Sequence, residues 1–459
     1  MKTIAKELLE KAYFKKLKET PILYTGVELE FPIINLDGSA TNHELLINLL
    51  DKFTDEEGFT ITHTDFDGNT IEIVSENNDD TILFECGYNT LEIAFARTQD
   101  INEIAKRFKK YFSVIQPYLL ENNHSLTGLG VNPFWNKNDN TPVNSSRYRM
   151  LREYLLMAKN MDSEFRLHSH YEYPTYIQGS QVQFDISKGQ LTQTINLFNK
   201  IEPAKAWLFA NSYMWDEVWN TGISRDILWE DSMHGILKEN VGVYDHEFID
   251  ADEVLESLVD TAIFTVERGS ETYYFQPLTV SEYFNREEIK AFDIEGREAI
   301  LVPDINDLKL HRSYKYQSLT KRGTLEFRSI CTQPLNATFS TAAFHLGLLE
   351  NLSSLDTLLN QYFFFEKYGS DIKKLRRKFA FFNLSEEEKN DIIKFSNDLL
   401  NISKEGLEKR GYGEEKYLQD LVIRVEEKEN PAEHSVRLLK DGKSLVDISR
   451  EFANIDALK

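Results

Sequence analysis

Period-two alternation constrains this chain more than any other feature. Residues 23–34 (LYTGVELEFPII) place Val27, Leu29 and Phe31 on one side of an extended segment, and Glu28 and Glu30 on the other. The same alternation recurs at 70–75, 81–86, 90–96, 180–187, 272–276 and 323–330. Strands with one wet face have this period, so the sequence predicts a sheet that is apolar behind and polar in front. Helical periodicity fills the intervals. Over 99–122, Ile101, Ile104, Ala105, Phe108, Phe112, Ile115 and Leu119 share one face. The first residues, MKTIAKELLEKAYFKKLKET, read as an amphipathic helix with Ile4, Leu8, Leu9 and Ala12 as its apolar side. Ser385 with Glu388 forms a capping box that opens a long helix, and from about 336 onwards the pattern is almost wholly helical. The expected class is α+β, with a catalytic domain over 1–335 and a helical C-terminal segment over 336–459 packed on it. No Gly-, Ser- or Pro-rich linker marks that boundary, which is soft.

With 459 residues, 41% hydrophobic and 28% charged, the chain has the composition of a globular protein with a large core. Its formal charge of -23, from 75 acidic and 52 basic side chains, argues against nucleic acid as a partner. A nucleotide substrate remains compatible, because magnesium bridges carboxylates and phosphates. Cys86 and Cys331 are the two cysteines, too few for a disulfide framework or a Cys-based zinc site. The N-terminal stretch carries no signal-peptide core, and no run approaches the ~20 apolar residues of a membrane span. The expected location is the cytoplasm, with no membrane association, as a monomer or homodimer.

Four strand segments carry candidate chemistry. In Gly26-Val27-Glu28-Leu29-Glu30-Phe31, two carboxylates share a face. Such a pair repels by roughly 4 kcal/mol at 4 Å and an effective dielectric of about 20, a cost that a cation between them removes. The plain alternative is the wet side of an amphipathic strand. In Phe84-Glu85-Cys86-Gly87-Tyr88-Asn89-Thr90-Leu91-Glu92-Ile93, the Gly-Tyr-Asn supplies a turn. A hairpin there pairs position 85 with 92 and brings Glu85 and Glu92 onto one face, as metal ligands or as an exposed edge. Ser180–Ser187 places Gln181, Gln183 and Asp185 together, opposite Val182, Phe184 and Ile186. In Gly323-Thr324-Leu325-Glu326-Phe327-Arg328-Ser329, a carboxylate and a guanidinium stand side by side. The Arg fork suits a phosphoryl group, and a cross-strand salt bridge is the bland reading.

Taken in order, these segments resemble the glutamate–cysteine ligases (γ-glutamylcysteine synthetases), especially the plant and proteobacterial branch, and more distantly glutamine synthetase. Intervening stretches look alike too: Gly128-Leu129-Gly130-Val131-Asn132-Pro133-Phe134-Trp135, Arg147-Tyr148 with Met150 and Arg152, Leu208-Phe209-Ala210-Asn211-Ser212, and Arg225 four residues before Trp229. The resemblance covers roughly residues 20–350. It implies a glutamine-synthetase-like saddle or funnel of antiparallel strands flanked by helices, with magnesium (or manganese) at its floor beneath ATP. The implied metal ligands are Glu28, Glu30, Glu85, Glu92 and Glu326. Gln183 (or, with a shifted register, Gln181) stands where some members have a His, and a neutral amide is a weaker ligand. Arg328 matches the residue that steadies the transferred phosphoryl group. Arg147, Arg152 and Arg225 match basic positions around the phosphates and the glutamate, Arg225 with a catalytic part. Asn211 and Ser212 fall in a family stretch to which no role is attached.

The implied reaction is ATP-dependent joining of the glutamate γ-carboxylate to the amine of cysteine through γ-glutamyl phosphate. It gives γ-glutamylcysteine for glutathione biosynthesis. Competing readings are a ligase of the same build with another amine acceptor, and a non-catalytic nucleotide- or glutamate-binding protein. A metal-dependent hydrolase would lack a water-activating residue and leave Arg328 unexplained. No base for the amine proton is identified. Other features read as structure: the five Trp between 135 and 229 as aromatic core rather than cleft, and His168 and His170 as surface rather than a loop over the site. The basic runs 106–110 and 373–378 read as solvated helix faces, and Cys86 as an unreactive thiol on the back of its strand.

Overall fold

The structure is a computed structural model that describes residues 2–56, 58–215 and 217–454. Its strands, in chain order, are β1 (Thr25–Asn35), β2 (Phe59–Thr64), β3 (Thr70–Ser75), β4 (Thr81–Phe84), β5 (Thr90–Thr98), β6 (His124–Leu126) and β7 (Ser180–Asp185). There follow β8 (Val241–Gly242), β9 (Ala262–Arg268), β10 (Glu271–Thr279), β11 (Ile289–Asp293), β12 (Glu298–Leu301), β13 (Tyr314–Lys315), β14 (Gln317–Leu319) and β15 (Thr324–Phe327). The main sheet runs β14-β15-β7-β1-β5-β4-β3-β2, with β6 added to β1, and its pairings are antiparallel. β1 is central because both of its faces are committed. Val27, Leu29, Phe31 and Ile33 are buried behind, and Glu28 and Glu30 point forward.

Behind the sheet, Val182, Phe184, Leu325 and Phe327 continue the apolar layer. Helices Ile101–Glu121 and Ser340–Glu350 cover it, with Phe31 5.7 Å from Phe108 and Phe327 4.9 Å from His345 between ring centroids. The same hydrophobic cluster continues past residue 336 through Leu346, Phe364 and Leu399. In front stand a second antiparallel sheet, β12-β11-β10-β9, and the helix Ser146–Leu156 against β10. The α+β class, antiparallel sheets, flanking helices and helical C-terminal region all match the sequence reading.

Three local expectations are corrected. In the first helix Ala5, Leu9 and Tyr13 are buried, whereas Ile4 is 60% exposed, because the inward stripe follows the 5–9–13 line. β9 escaped the alternation because Ala262–Val266 is buried on both sides. The run 373–378 is not a uniformly solvated face. Arg376 falls in helix Ile372–Phe379 on the stripe Ile372, Leu375, Phe379, and it is 2% exposed.

The long helix Glu386–Arg410 begins with the expected capping box and ends on Gly411 in the left-handed region. It crosses Ser340–Glu350 so closely that a Cβ on Gly347 would stand 2.1 Å from the Ser403 carbonyl oxygen, and one on Gly406 2.0 Å from that of Gly347. Gly347→Ala is therefore expected to destabilise the protein by about 1–3 kcal/mol or more, as forced overpacking does. A urea or thermal melt measures it, and a wild-type midpoint would show that the helices can separate at no cost.

His311 ties the first helix to β9. The Tyr13 hydroxyl lies 2.8 Å from its Nδ1, and Thr261 Oγ1 lies 2.7 Å from its Nε2. Burial, with Lys321 nearby, pushes its imidazole down to about 3, and burial takes His234 to about 3 and His168 to about 4. These rings are neutral when folded and take up protons when unfolded near the ordinary value of about 6.5. Their contribution is complete above about pH 6.5 and is lost as pH falls towards 3–4, by up to roughly 1.4 kcal/mol per pH unit for each group. His311→Gln should lower the melting temperature at pH 7.5 yet flatten its fall between pH 6.5 and 5. An unchanged slope would contradict this assignment.

Candidate active site

The forward face of the main sheet floors a cavity of about 750 Å³. Strand register explains which side chains reach it. Glu28 of β1 lies opposite Gln181 of β7 and Ala94 of β5, Glu30 lies opposite Glu92, and Glu326 of β15 lies opposite Gln183. All five glutamates of the sequence reading line the cavity, with Arg147, Arg225 and Arg328.

The hairpin between β4 and β5 is tighter than expected. Leu83, not Glu85, faces Glu92, and the Glu85 amide donates to the Thr90 carbonyl at 3.1 Å. Glu85 lies two residues beyond Leu83, just past the end of β4, and it and Glu92 still line the same cavity. Cys86 differs from its expectation too. Its φ of 60° breaks the parity of the strand and brings it to the cavity wall. Burial and the Glu85 charge push its thiol well up, which keeps it unreactive.

Neutral amides separate the carboxylates. Gln183 Nε2 donates to Glu28 Oε1 at 2.8 Å and to Glu326 Oε1 at 3.1 Å, while its Oε1 accepts from Arg322 at 2.7 Å and Thr324 at 3.2 Å. Gln181 Nε2 donates to Glu30 Oε1 at 3.0 Å, and the Gly179 amide to Glu30 Oε2 at 2.6 Å. Burial nevertheless raises Glu30 to about 7, against the pull of Arg225 and with a push from Glu85. Glu92 is raised well above the ordinary range by burial, then by Glu85, Glu28 and Glu30. Tyr148 donates to Glu85 Oε2 at 2.6 Å, and Arg147 pairs with Glu85 Oε1 at 3.6 Å.

Opposite this acidic floor stands a basic wall. Arg328 pairs with Glu326, and Arg225 Nη1 donates to the Arg328 carbonyl at 2.9 Å. Arg225 lies flat on Gly179, where a Cβ would come within 2.7 Å of its guanidinium. Among the described residues, the buried Nε atoms of Arg225 and Arg328 have no hydrogen-bond partner. Burial and then Arg312 hold Arg328 down at about 10. The stretch containing Asn211 and Ser212 seats this wall. Ser212 Oγ accepts the Arg225 amide at 3.2 Å, and Asn211 Nδ2 donates to the carbonyls of Gly128 and Thr332 at 2.7 and 2.6 Å.

Arg152 lies elsewhere. Five residues from Arg147 is about 140° around a helix, and Arg152 accordingly pairs with Glu153 in a separate cavity beside Asp65, Tyr88 and Asp139. Of the tryptophans, Trp207 and Trp215 are core as expected, and Trp229 lines the cavity. His168 is half-buried rather than plain surface, and its Nε2 lies 2.8 Å from the Leu228 carbonyl oxygen. Sequence reasoning missed Arg322, Arg312, Tyr314 and His234. Arg322 lies in the turn before β15, ahead of Gly323 with its φ of 79°, so strand parity carries no signal for it. Arg312 and His234 sit in irregular segments, where periodicity is silent.

Among the described residues, no three His, Cys, Asp or Glu side chains are arranged so that they could hold a metal ion as they stand. The chemistry of the donors suits one all the same. Oxygen ligands suit magnesium or manganese, and the raised Glu30 and Glu92 mark like charges that a cation would relieve.

Whole-chain comparison finds the same relatives as the motifs. The chain is 22% identical to the chloroplastic glutamate–cysteine ligase of Nicotiana tabacum over 368 residues, 79% of this chain and 67% of that protein. It is 23% identical to glutamate–cysteine ligase A, chloroplastic, of Oryza sativa subsp. indica over 394 residues, 80% of this chain and 73% of that protein. The chain thus spans about two thirds to three quarters of the length of these relatives. The solved glutamate–cysteine ligase of Francisella tularensis in complex with AMP aligns with a TM-score of 0.45 at 13% identity, over 95% of this chain and 89% of that one. No family model matches the chain. The resemblance to glutamate–cysteine ligases is borne out.

Proposed function

We propose that the chain is an ATP- and magnesium-dependent ligase. It joins the γ-carboxylate of glutamate to the amine of cysteine, giving γ-glutamylcysteine for glutathione biosynthesis. The observation that carries this reading is one cavity lined by five glutamates and by Arg147, Arg225 and Arg328, in a chain similar to glutamate–cysteine ligases.

Glu28, Glu30, Glu85, Glu92 and Glu326 would hold the metal (magnesium, with manganese as the alternative). Gln183 could join them only by turning its amide over, because its Nε2 faces Glu28 and Glu326 while its Oε1 is held by Arg322 and Thr324. When bound, the ion supplies neutralisation of phosphate oxygens. Glutamate's γ-carboxylate is a poor acyl donor at neutral pH and takes the terminal phosphoryl group of ATP, releasing ADP. Arg328 and Arg225 donate to the oxygens of that group, where charge redistributes in the transition state. Tyr148 and Arg147 fix Glu85 from the far side. The amine then adds to the acyl carbon, and the tetrahedral oxyanion collapses with loss of phosphate. The helical segment 336–459 is proposed as support behind this site, and the protein as a cytoplasmic monomer or homodimer. Two free buried cysteines agree with a reducing compartment, and among the described residues no helix is long and apolar enough to cross a membrane.

The test is ADP release with ATP, magnesium and glutamate, with and without cysteine, then across other amines. Cysteine should stimulate release strongly. Stimulation by a different amine alone would keep the chemistry and replace the acceptor. A folded, ATP-binding protein that releases no ADP with any amine would overturn the ligase reading.

Arg328→Ala should lower kcat by about 100-fold or more while nucleotide affinity changes only a few-fold, as for a group acting in the transition state. Turnover and isothermal titration of nucleotide measure the two, and equal losses would remove Arg328 from that role.

A further inference from the structure

Gly179 touches both the acidic floor and the basic wall, and its backbone does not call for a glycine. It lies one residue ahead of β7, in an antiparallel bridge to Cys331. Its φ is outside the left-handed region, in contrast to Gly242 and Gly323. At an extended position a side chain is ordinarily favoured, because glycine loses more freedom on folding and packs against nothing. A glycine there marks a close approach by something else.

What approaches is Arg225. A Cβ on Gly179 would stand 2.7 Å from Arg225 Nη2 and 3.1 Å from its Cζ, where ordinary contact begins at 3.4 Å. The next atom, the Ile330 carbonyl oxygen, would be 3.3 Å away and need give only slightly. The obstacle is therefore the far end of one side chain. Gly128 and Gly235 differ in kind, since a Cβ on either would run into the backbone of Gln333 or Glu230. The same residue serves the floor. The Gly179 amide donates to Glu30 Oε2 at 2.6 Å, and the Gly179 carbonyl accepts the Glu30 amide at 3.1 Å. Arg225 is 5% exposed, and its Nη1 donates to the Arg328 carbonyl at 2.9 Å. A shift of the guanidinium away from Gly179 is thus a shift relative to Glu30 and to the Arg328 backbone alike.

Resting on the ligase reading, we infer that Gly179 is a positioning residue for phosphoryl transfer, whose missing side chain is the seat of the Arg225 guanidinium beside Glu30. Restoring ordinary contact, from 2.7 to 3.4 Å, displaces the fork by about 0.7 Å. Misplacement of a reacting group by roughly 1 Å costs on the order of 100-fold in rate. The fold itself has little stake in the glycine.

The experiment is a double-mutant cycle of wild type, Gly179→Ala, Arg225→Gln and the double variant. It reads kcat and KM for ADP release with ATP, magnesium, glutamate and cysteine, beside a thermal melt of each protein. Glutamine ends short of the Cζ and Nη2 positions, so in its background the added methyl group no longer meets the fork. Gly179→Ala should lower kcat about 10- to 100-fold while KM for ATP stays within about threefold. Its melting temperature should equal or slightly exceed that of wild type, since alanine restricts the unfolded chain. The double variant should match Arg225→Gln within about twofold, because the two changes act through one contact. A wild-type kcat in Gly179→Ala, or losses that multiply in the double variant, would overturn the role of Gly179. An early melt that Arg225→Gln relieves would support it, and one that persists in the double variant would assign the glycine to packing against Ile330 and overturn it. Wild-type protein that releases no ADP with any amine would overturn the ligase reading itself, and the role of Gly179 with it.

Discussion

A guanidinium buried behind the cavity holds the basic wall in place. Arg376 donates to Glu202 at 2.6 Å, to Asp226 at 2.6 and 3.1 Å, and to the Ser329 carbonyl at 3.1 Å. Glu202 also takes Lys205 at 2.6 Å, the Ser329 hydroxyl at 3.1 Å and the Gln317 amide. Asp226 follows Arg225 in the chain, and Ser329 follows Arg328. One cation therefore fixes both backbone positions from which Arg225 and Arg328 project. The two positive and two negative charges balance, and all are at most 2% exposed. Burying such charges is costly unless each is satisfied, and removing one partner of a buried pair costs about 3–5 kcal/mol.

On the other side of the sheet the problem is reversed, since like charges must be kept near one another without collapse of the fold. Strand geometry solves it. Parity puts Glu28, Glu30, Glu92 and Glu326 on one face while Val27, Leu29, Phe31, Leu325 and Phe327 anchor the other. Gln181 and Gln183 stand between the carboxylates and spend their amide protons on them. Acidic floor and basic wall then meet directly at the Glu326–Arg328 pair, on the lining of one cavity.

Much of this was legible because a strand's period is short and strict. The five floor glutamates, Arg225 and Arg328 followed from alternation and from the resemblance, and they do share a cavity. The failures each have a cause. Cys86 left its expected face because a positive φ resets parity, and Arg152 turned away because helix spacing is not strand spacing. Arg376 hid in a lysine- and arginine-rich run, where its position on the apolar stripe was the informative fact and its charge was not. His234 and Arg312 came from loops, whose placement depends on tertiary closure that no local pattern encodes.

The order in which the chain is made sets a schedule for this architecture. β1 has its carboxylates by residue 30, yet the amide that satisfies Glu30 arrives 151 residues later, and the guanidinium that satisfies Glu202 comes 174 residues after it. Such distant pairings close slowly, so a growing chain carries exposed strand edges and unmatched buried-to-be charges through most of its synthesis. The site is therefore completed late, once the helix that carries Arg376 has emerged.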